Sequence, residues 1–257
     1  MSHYDIFDTI QELRSKGQEF CVATVLRTAD VTSAKAGAKA AISTDGAILG
    51  HLGGACVQRA VRTAAATALD TGQPRMIRVK PADKVVTILD PDGFETFKSG
   101  CPSGGTVDLL IEPYRQPPKL VVLGESPIAS ALIAHAALTD LQCSTDPEKL
   151  TQLSERDFVV VASQGRNDSV FLAQALGSAA SRVSMVASRR KAAALCAKIA
   201  GQGLSQAQIE RLKAPAGLDI GAIDPHGIAL SILAEITLWR AQSTEQSTQE
   251  VADEKLA

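Results

Sequence analysis

Apolar positions follow two rhythms along this chain, and each change of rhythm marks an element. Ile6, Phe7, Ile10 and Leu13 recur at helical spacing and predict a helix over 5–16 that stops at Gly17. Residues 20–26 form a continuous β-rich run and predict a buried strand. Residues 40–43 and 48–51 flank Asp45-Gly46, a pair suited to a hairpin turn. Residues 57–71 are rich in alanine and predict a helix with Gly72 as its stop. Residues 76–79, 85–89 and 106–111 predict three more strands. To this point the elements make an α+β domain.

Residues 112–118, Glu-Pro-Tyr-Arg-Gln-Pro-Pro, break the pattern, since prolines end regular elements and stiffen a connection. Beyond them the rhythm becomes that of alternating buried strands and helices. Strands are predicted at 119–123, 157–163 and 182–187, with helices from 128, 170, 192 and 205 and a last one from Pro225 to about Arg240 that Asp224 caps. Strands joined through helices predict a doubly wound parallel sheet. The expected organisation is therefore α/β: an α+β N-terminal domain (1–115), a Rossmann-like domain (116–242) and a disordered tail (243–257) of Ser, Thr, Gln and Glu. Glu235 falls within an apolar helix face, where it must pair with a cation or sit at an interface.

Composition narrows the functional classes. A chain of 257 residues with formal net charge −2 lacks the basic footprint of a nucleic-acid binder. It has no apolar run long enough to span a membrane and no signal-peptide pattern. Its five cysteines, Cys21, Cys56, Cys101, Cys143 and Cys196, fit neither a disulfide framework nor a zinc spacing, which points to a reducing cytoplasm.

Three stretches carry candidate chemistry. Gly53-Gly54-Ala55-Cys56 precedes a predicted helix, and Gly100-Cys101-Pro102-Ser103-Gly104-Gly105 repeats cysteine and a glycine pair in inverted order. Two small cysteines in tight turns explain both; so does one site, built from both loops, for something anionic or thiophilic. Ser188-Arg189-Arg190-Lys191 follows a predicted strand and opens a helix, where free N–H groups favour an anion. Gly124-Glu125-Ser126 stands where a dinucleotide fingerprint would lie, but only its first glycine is present and Glu125 adds a negative charge.

These residues resemble the XdhC/CoxI family, accessory proteins of molybdenum hydroxylases such as xanthine dehydrogenase and carbon monoxide dehydrogenase. Gly53-Gly54-Ala55-Cys56-Val57 resembles the family's Gly-Gly-x-Cys-Val motif, and Cys101 with Gly104-Gly105 its Cys-Gly-Gly motif with two residues inserted. Residues 187–191, 215–222 and 228–236 resemble three further family strings in order and spacing. The resemblance implies a maturation factor, not an enzyme, that binds the molybdenum cofactor (molybdopterin or its dinucleotide form) and delivers it to the apo-enzyme. It implies cofactor contacts from Gly53, Gly54, Cys56, Gln58, Cys101, Gly104, Gly105, Gly124, Ser126, Ser188, Arg189, Arg190 and Lys191, with Cys56 and Cys101 as soft metal ligands. The implied partners are a molybdenum hydroxylase and a cysteine desulfurase, and the implied assembly is a homodimer or a heteromer with a paralogue.

The chain also departs from the family. Gln58 stands where an acid follows Cys-Val, and Ser163-Gln164-Gly165 replaces Thr-His-Gly. Ala29-Asp30-Val31-Thr32 replaces a Gly-Ser-x-Pro turn. Charged or ionisable groups are lost while the framework strings persist. A non-binding structural partner of a paralogue is therefore a second reading, and a nicotinamide-dependent oxidoreductase a third.

Overall fold

The computed structural model describes residues 5–254 apart from 31, 86–92, 101–104 and 202, and the backbone alone for 84 and 243–254. The chain divides into two compact units, Met1–Gln116 with Thr244–Ala257, and Pro117–Ser243.

The first unit is built on a sheet with strands β1 (Phe20–Ala29), β2 (Lys39–Ser43), β3 (Ile48–Gly50), β4 (Arg75–Pro81), β5 (Glu95–Ser99) and β6 (Thr106–Tyr114). Their order is β3-β2-β1-β6-β4-β5. All pairs are antiparallel except β4 with β5. Helix α2 (Ala55–Thr71) lies on one face, and helix α1 (Ile6–Ser15) packs against Phe20, Val22 and Ala41 on the other. The buried side of α2 is mostly alanine (Ala60, Ala64, Ala65 and Ala68), so its backbone comes close to the sheet. There the Cys21 thiol donates to the Ala65 carbonyl at 3.5 Å. Gly72 ends the helix in the left-handed conformation (φ 73°), as its sequence position predicts.

Strand β5 is not among the elements read from the sequence. Only Thr96 and Ser99 of its five residues are fully buried, which is too weak an alternation to register. The strand expected at 85–89 lies outside the described residues except for Val85.

The second unit is a parallel sheet of β7 (Lys119–Leu123), β8 (Gln142–Ser144), β9 (Phe158–Val161), β10 (Arg182–Met185) and β11 (Leu212–Lys213), in the order β11-β10-β9-β7-β8. Helices α3 (Pro127–Ala136) and α7 (Pro225–Glu254) cover one face. Helices α4 (Asp168–Gly177) and α5 (Arg189–Ile199) cover the other, with a 3-10 turn at Pro147–Gln152. This is the doubly wound architecture that the alternating strands and helices predict. The chain passes from β7 to β8 on one side and then to β9 on the other, so the topological switch lies between the carboxyl ends of β7 and β9. A short helix, α6 (Gln206–Glu210), precedes β11 and is closed by a Ser205/Gln208 capping box.

Helix α7 continues to Glu254, into the stretch 243–257 expected from the sequence to be a disordered tail. No glycine or proline interrupts 241–254, and adding a residue to an existing helix needs no new nucleus. Glu235 resolves as a paired acid. It is 2% exposed, pairs with Lys213 and accepts from the Gly217 N–H at 3.0 Å, fixing the loop after β11 onto α7.

Candidate functional site

Gly53 and Gly54 make the turn into α2, and they do different work. Gly53 has φ +118°, and a Cβ there would meet the Ala34 Cβ at 3.2 Å, so the position needs glycine. Gly54 has ordinary extended geometry, with only the Ser33 hydroxyl near its missing Cβ, at 4.0 Å. As N-cap it carries no capping side chain, so the first N–H groups of α2 are left open. Gln58 turns back and donates from Nε2 to the Gly53 carbonyl at 3.2 Å. A carboxylate could not make that bond, so the Gln58 that departs from the family pattern closes the turn.

Cys56 lies in the first turn of α2, half-buried. Its pKa is below that of an ordinary thiol. The Ser99 hydroxyl is the largest cause, followed by the Gly100 backbone N–H, with Arg59 adding to both. The Arg59 guanidinium is 4.0 Å from the sulfur. A lowered pKa favours the thiolate, the form of cysteine that binds metals and electrophiles. The other described cysteines run the opposite way: burial pushes the Cys21 thiol up to about 12 and raises Cys143 and Cys196 as well.

The structure therefore brings the first glycine-cysteine turn against Ser99 and Gly100, the two residues that precede Cys101 in sequence. Cys101 and Gly104 lie outside the described residues, and Gly105 directly precedes β6. Gly100 opens the second glycine-cysteine loop in the sequence, whereas Ser99 is not marked there, because its role comes from β5 ending beside α2.

In the second unit, all remaining candidates lie at the carboxyl ends of the strands. Gly124 follows β7 with φ +119°, and a Cβ there would fall 2.5 Å from the Ala162 carbonyl and 2.6 Å from Ser163 Cα. The glycine thus lets two backbones meet at the switch point. Ser126, 2% exposed, accepts from the Ala129 N–H at 3.0 Å as cap of α3, and Pro127 at the next position has no N–H to offer. A pyrophosphate would find little there.

At α5, Ser188 caps by accepting from the Lys191 N–H at 3.3 Å, and Arg189 and Arg190 are exposed. Lys191 reaches the Asp168 carboxylate at 2.5 Å. Asp168 is 7% exposed at the start of α4 and also accepts from the Ser163 hydroxyl and, at 3.1 Å, from the Gly165 N–H. Burial opposes its charge, but Lys191, Ser163 and Gly165 hold its carboxyl below the usual range. The protein thus places its own carboxylate against one of the three cations expected to form an anion site, while Arg189 and Arg190 are exposed. Nothing in the sequence tied Asp168 to Lys191, which are 23 positions apart. The tertiary fold likewise sets His135 Nε2 3.2 Å from His226 Nδ1. No group of three metal-ligating side chains is found among the described residues.

Two family models match the chain in register with these units: the XdhC and CoxI family over residues 13–80, and the XdhC Rossmann domain over 120–236. The chain belongs to the XdhC and CoxI family. That family is associated with the maturation of molybdenum hydroxylases. The Escherichia coli K12 protein "Uncharacterized protein YqeB" is 26% identical over 258 residues that cover 90% of this chain. The chain spans 46% of that relative's length. A solved structure described as a xanthine dehydrogenase from Bacillus halodurans is 16% identical, with TM-score 0.40 over 93% of this chain and 96% of that one. Among the described residues, no helix is long and apolar enough to cross a membrane.

Proposed function

We propose that this XdhC/CoxI-family chain holds the molybdenum cofactor during maturation of a molybdenum hydroxylase and passes it to the apo-enzyme. One observation carries the reading: a low-pKa Cys56 at an uncapped helix start, beside Ser99 and Gly100. The residues present fit such a group at this end. A soft metal that arrives with its own dithiolene needs one protein thiolate, not three, and the free N–H groups of α2 suit oxygen atoms on it. When bound, the cofactor supplies the molybdenum centre and its sulfur ligands. Cys56 offers a thiolate, the Ser99 hydroxyl and Gly100 N–H stabilise that thiolate when no metal is held, and Gly53 shapes the turn. The family resemblance adds Cys101, Gly104 and Gly105 to the proposed cofactor residues, with Cys101 as a second thiolate.

Within the second unit, Arg189 and Arg190 at α5 are the residues proposed for a phosphate group. The β7–α3 turn does not fit a pyrophosphate, because Ser126, Pro127 and the Ala162–Ser163 backbone occupy it. The same turn speaks against a nicotinamide-dependent oxidoreductase. The proposed partners are the apo-hydroxylase and a cysteine desulfurase, with assembly as a homodimer or with a paralogue.

The test is molybdenum content. Wild type and Cys56→Ser, each co-expressed with a molybdenum hydroxylase, are purified and assayed for bound molybdenum and for activity of the hydroxylase. Wild type should carry the metal, and Cys56→Ser should lose most of it with an unchanged melting temperature. Equal content in both sinks the assignment. A specific observation favours a second reading, that of a structural partner of a paralogue: Gln58 and Lys191 are both used internally. Metal-free wild type that still raises hydroxylase activity would support that one.

A further inference from the structure

At the edge of the second sheet, by the amino end of β10, a cavity of about 550 Å³ is lined by residues of β10, α6, β11 and α7. Its volume is in the range of small-molecule sites. Arg182, Arg211, Lys213 and Glu210 reach its wall together with Trp239.

These charges are not equally satisfied. Lys213 is neutralised by the buried Glu235. Arg211 spends its two terminal nitrogens on the carbonyls of Leu176, Ser178 and Ala180 near the end of α4. Arg182 lies over the Trp239 ring, 5.4 Å from its centroid, and pairs with no carboxylate among the described residues. Trp239 in turn stacks on Phe158 with centroids 6.3 Å apart, which holds the platform beneath the guanidinium. Two residues along the same face of β10, Ser184 is buried outside the cavity lining, and its hydroxyl has no hydrogen-bond partner among the described residues. A half-buried guanidinium stacked on an indole and lacking a counter-ion presents a planar fork suited to a carboxylate or phosphate. Ala207, Leu212 and Ala214 give the rest of the cavity an apolar side.

The geometry points to a second binding site, at the β11 edge, for a small organic anion whose carboxylate or phosphate meets Arg182 and whose compact apolar body fills the cavity. The site is separate from the strand carboxyl ends of its sheet and uses none of the residues proposed for the cofactor, so its test does not depend on cofactor binding.

Trp239 is the only tryptophan of the chain and reports on this cavity directly. The full-length protein is titrated with benzoate, phenyl phosphate and the size-matched cation benzylamine while Trp239 emission is followed. Benzoate or phenyl phosphate should give a saturable change, and the tighter of the two identifies the preferred anionic group. Benzylamine should give none. Arg182→Gln should weaken the anion at least tenfold, with unchanged far-UV circular dichroism. Should that variant not fold, the anion-against-cation comparison on wild type decides alone. The proposal is overturned if no anion gives a saturable change, if benzylamine matches the anions, or if folded Arg182→Gln binds as wild type does.

Discussion

Helix α2 of the first unit begins differently from α3 and α5 of the second, and from α1, which Asp5 caps. Helix α2 opens at a glycine with no capping side chain, and its free N–H groups lie beside a thiol of lowered pKa. In the second unit α3 and α5 are closed by the chain itself, while the α4 cap Asn167 makes no side-chain hydrogen bond. Ser126 and Pro127 finish α3, Ser188 caps α5, and Asp168 draws Ser163, Gly165 and Lys191 around the start of α4. An orphan donor satisfied internally is worth about 1 kcal/mol of stability, and an orphan left open remains for a ligand. Motifs that look alike in sequence, a small residue followed by a helix, thus serve opposite ends.

The largest expected difference is in thiol reactivity. With iodoacetamide at neutral pH, Cys56 should be alkylated first, with a rate midpoint below that of an ordinary thiol. Cys21, whose pKa is pushed up to about 12 by burial, should stay unmodified until the chain unfolds. Peptide mapping after timed alkylation checks this, and equal labelling of the two would erase the contrast.

Gly124→Ala should come next, costing about 2–4 kcal/mol, because both a positive φ and backbone atoms at 2.5–2.6 Å oppose a Cβ. Gly54→Ala should cost less than about 1 kcal/mol, since its φ of −71° is ordinary and nothing lies closer than 4.0 Å. Chemical denaturation of the pair tests whether the glycine of the second unit is structural and that of the first is not.

Asp168→Asn should cost about 1–3 kcal/mol at neutral pH, by removing charge-assisted hydrogen bonds. Its folded pKa is lowered, so its contribution is full above the unfolded value near 3.9 and is lost as pH falls through the lower folded value. Wild type and variant should therefore converge in stability in acid. A gap that stays constant with pH would show that Asp168 acts by shape and not by charge. Freed from Asp168, Lys191 becomes available to an added anion, so the variant should also bind phosphate more tightly than wild type.

Ser126→Ala should lower stability by about 1 kcal/mol and leave molybdenum retention unchanged. Ser188→Ala should cost less, because that cap is exposed and its bond is longer, 3.3 Å against 3.0 Å. Thermal melts of both order the two caps, and a loss of bound molybdenum in Ser126→Ala would return that serine to the site.

Periodicity alone determined much of the architecture. Continuous apolar runs at 120–123 and 158–161 must be buried on both faces, and only a parallel sheet covered by helices does that for strands joined through helices. Gly72 and Asp224 mark helix ends by local chemistry, and both act as their positions predict. Strand β5, with little apolar alternation, exists because β4 offers it a free edge. The continuation of α7 past Arg240 was likewise not legible, since a polar stretch carries no period for a helix to announce.

Site chemistry divides in the same way. The sequence by itself determined which residue types stand at the helix starts: the glycine pair with Cys56, the serines, and the cations after Ser188. Only the tertiary structure decided their state. It set Ser99 and Gly100 against the Cys56 sulfur, Asp168 against Lys191, and Arg182 over Trp239. Thiolate stability, charge neutralisation and an uncompensated guanidinium all depend on distances of a few ångströms between residues 23 to 57 positions apart, and no local spacing encodes such distances.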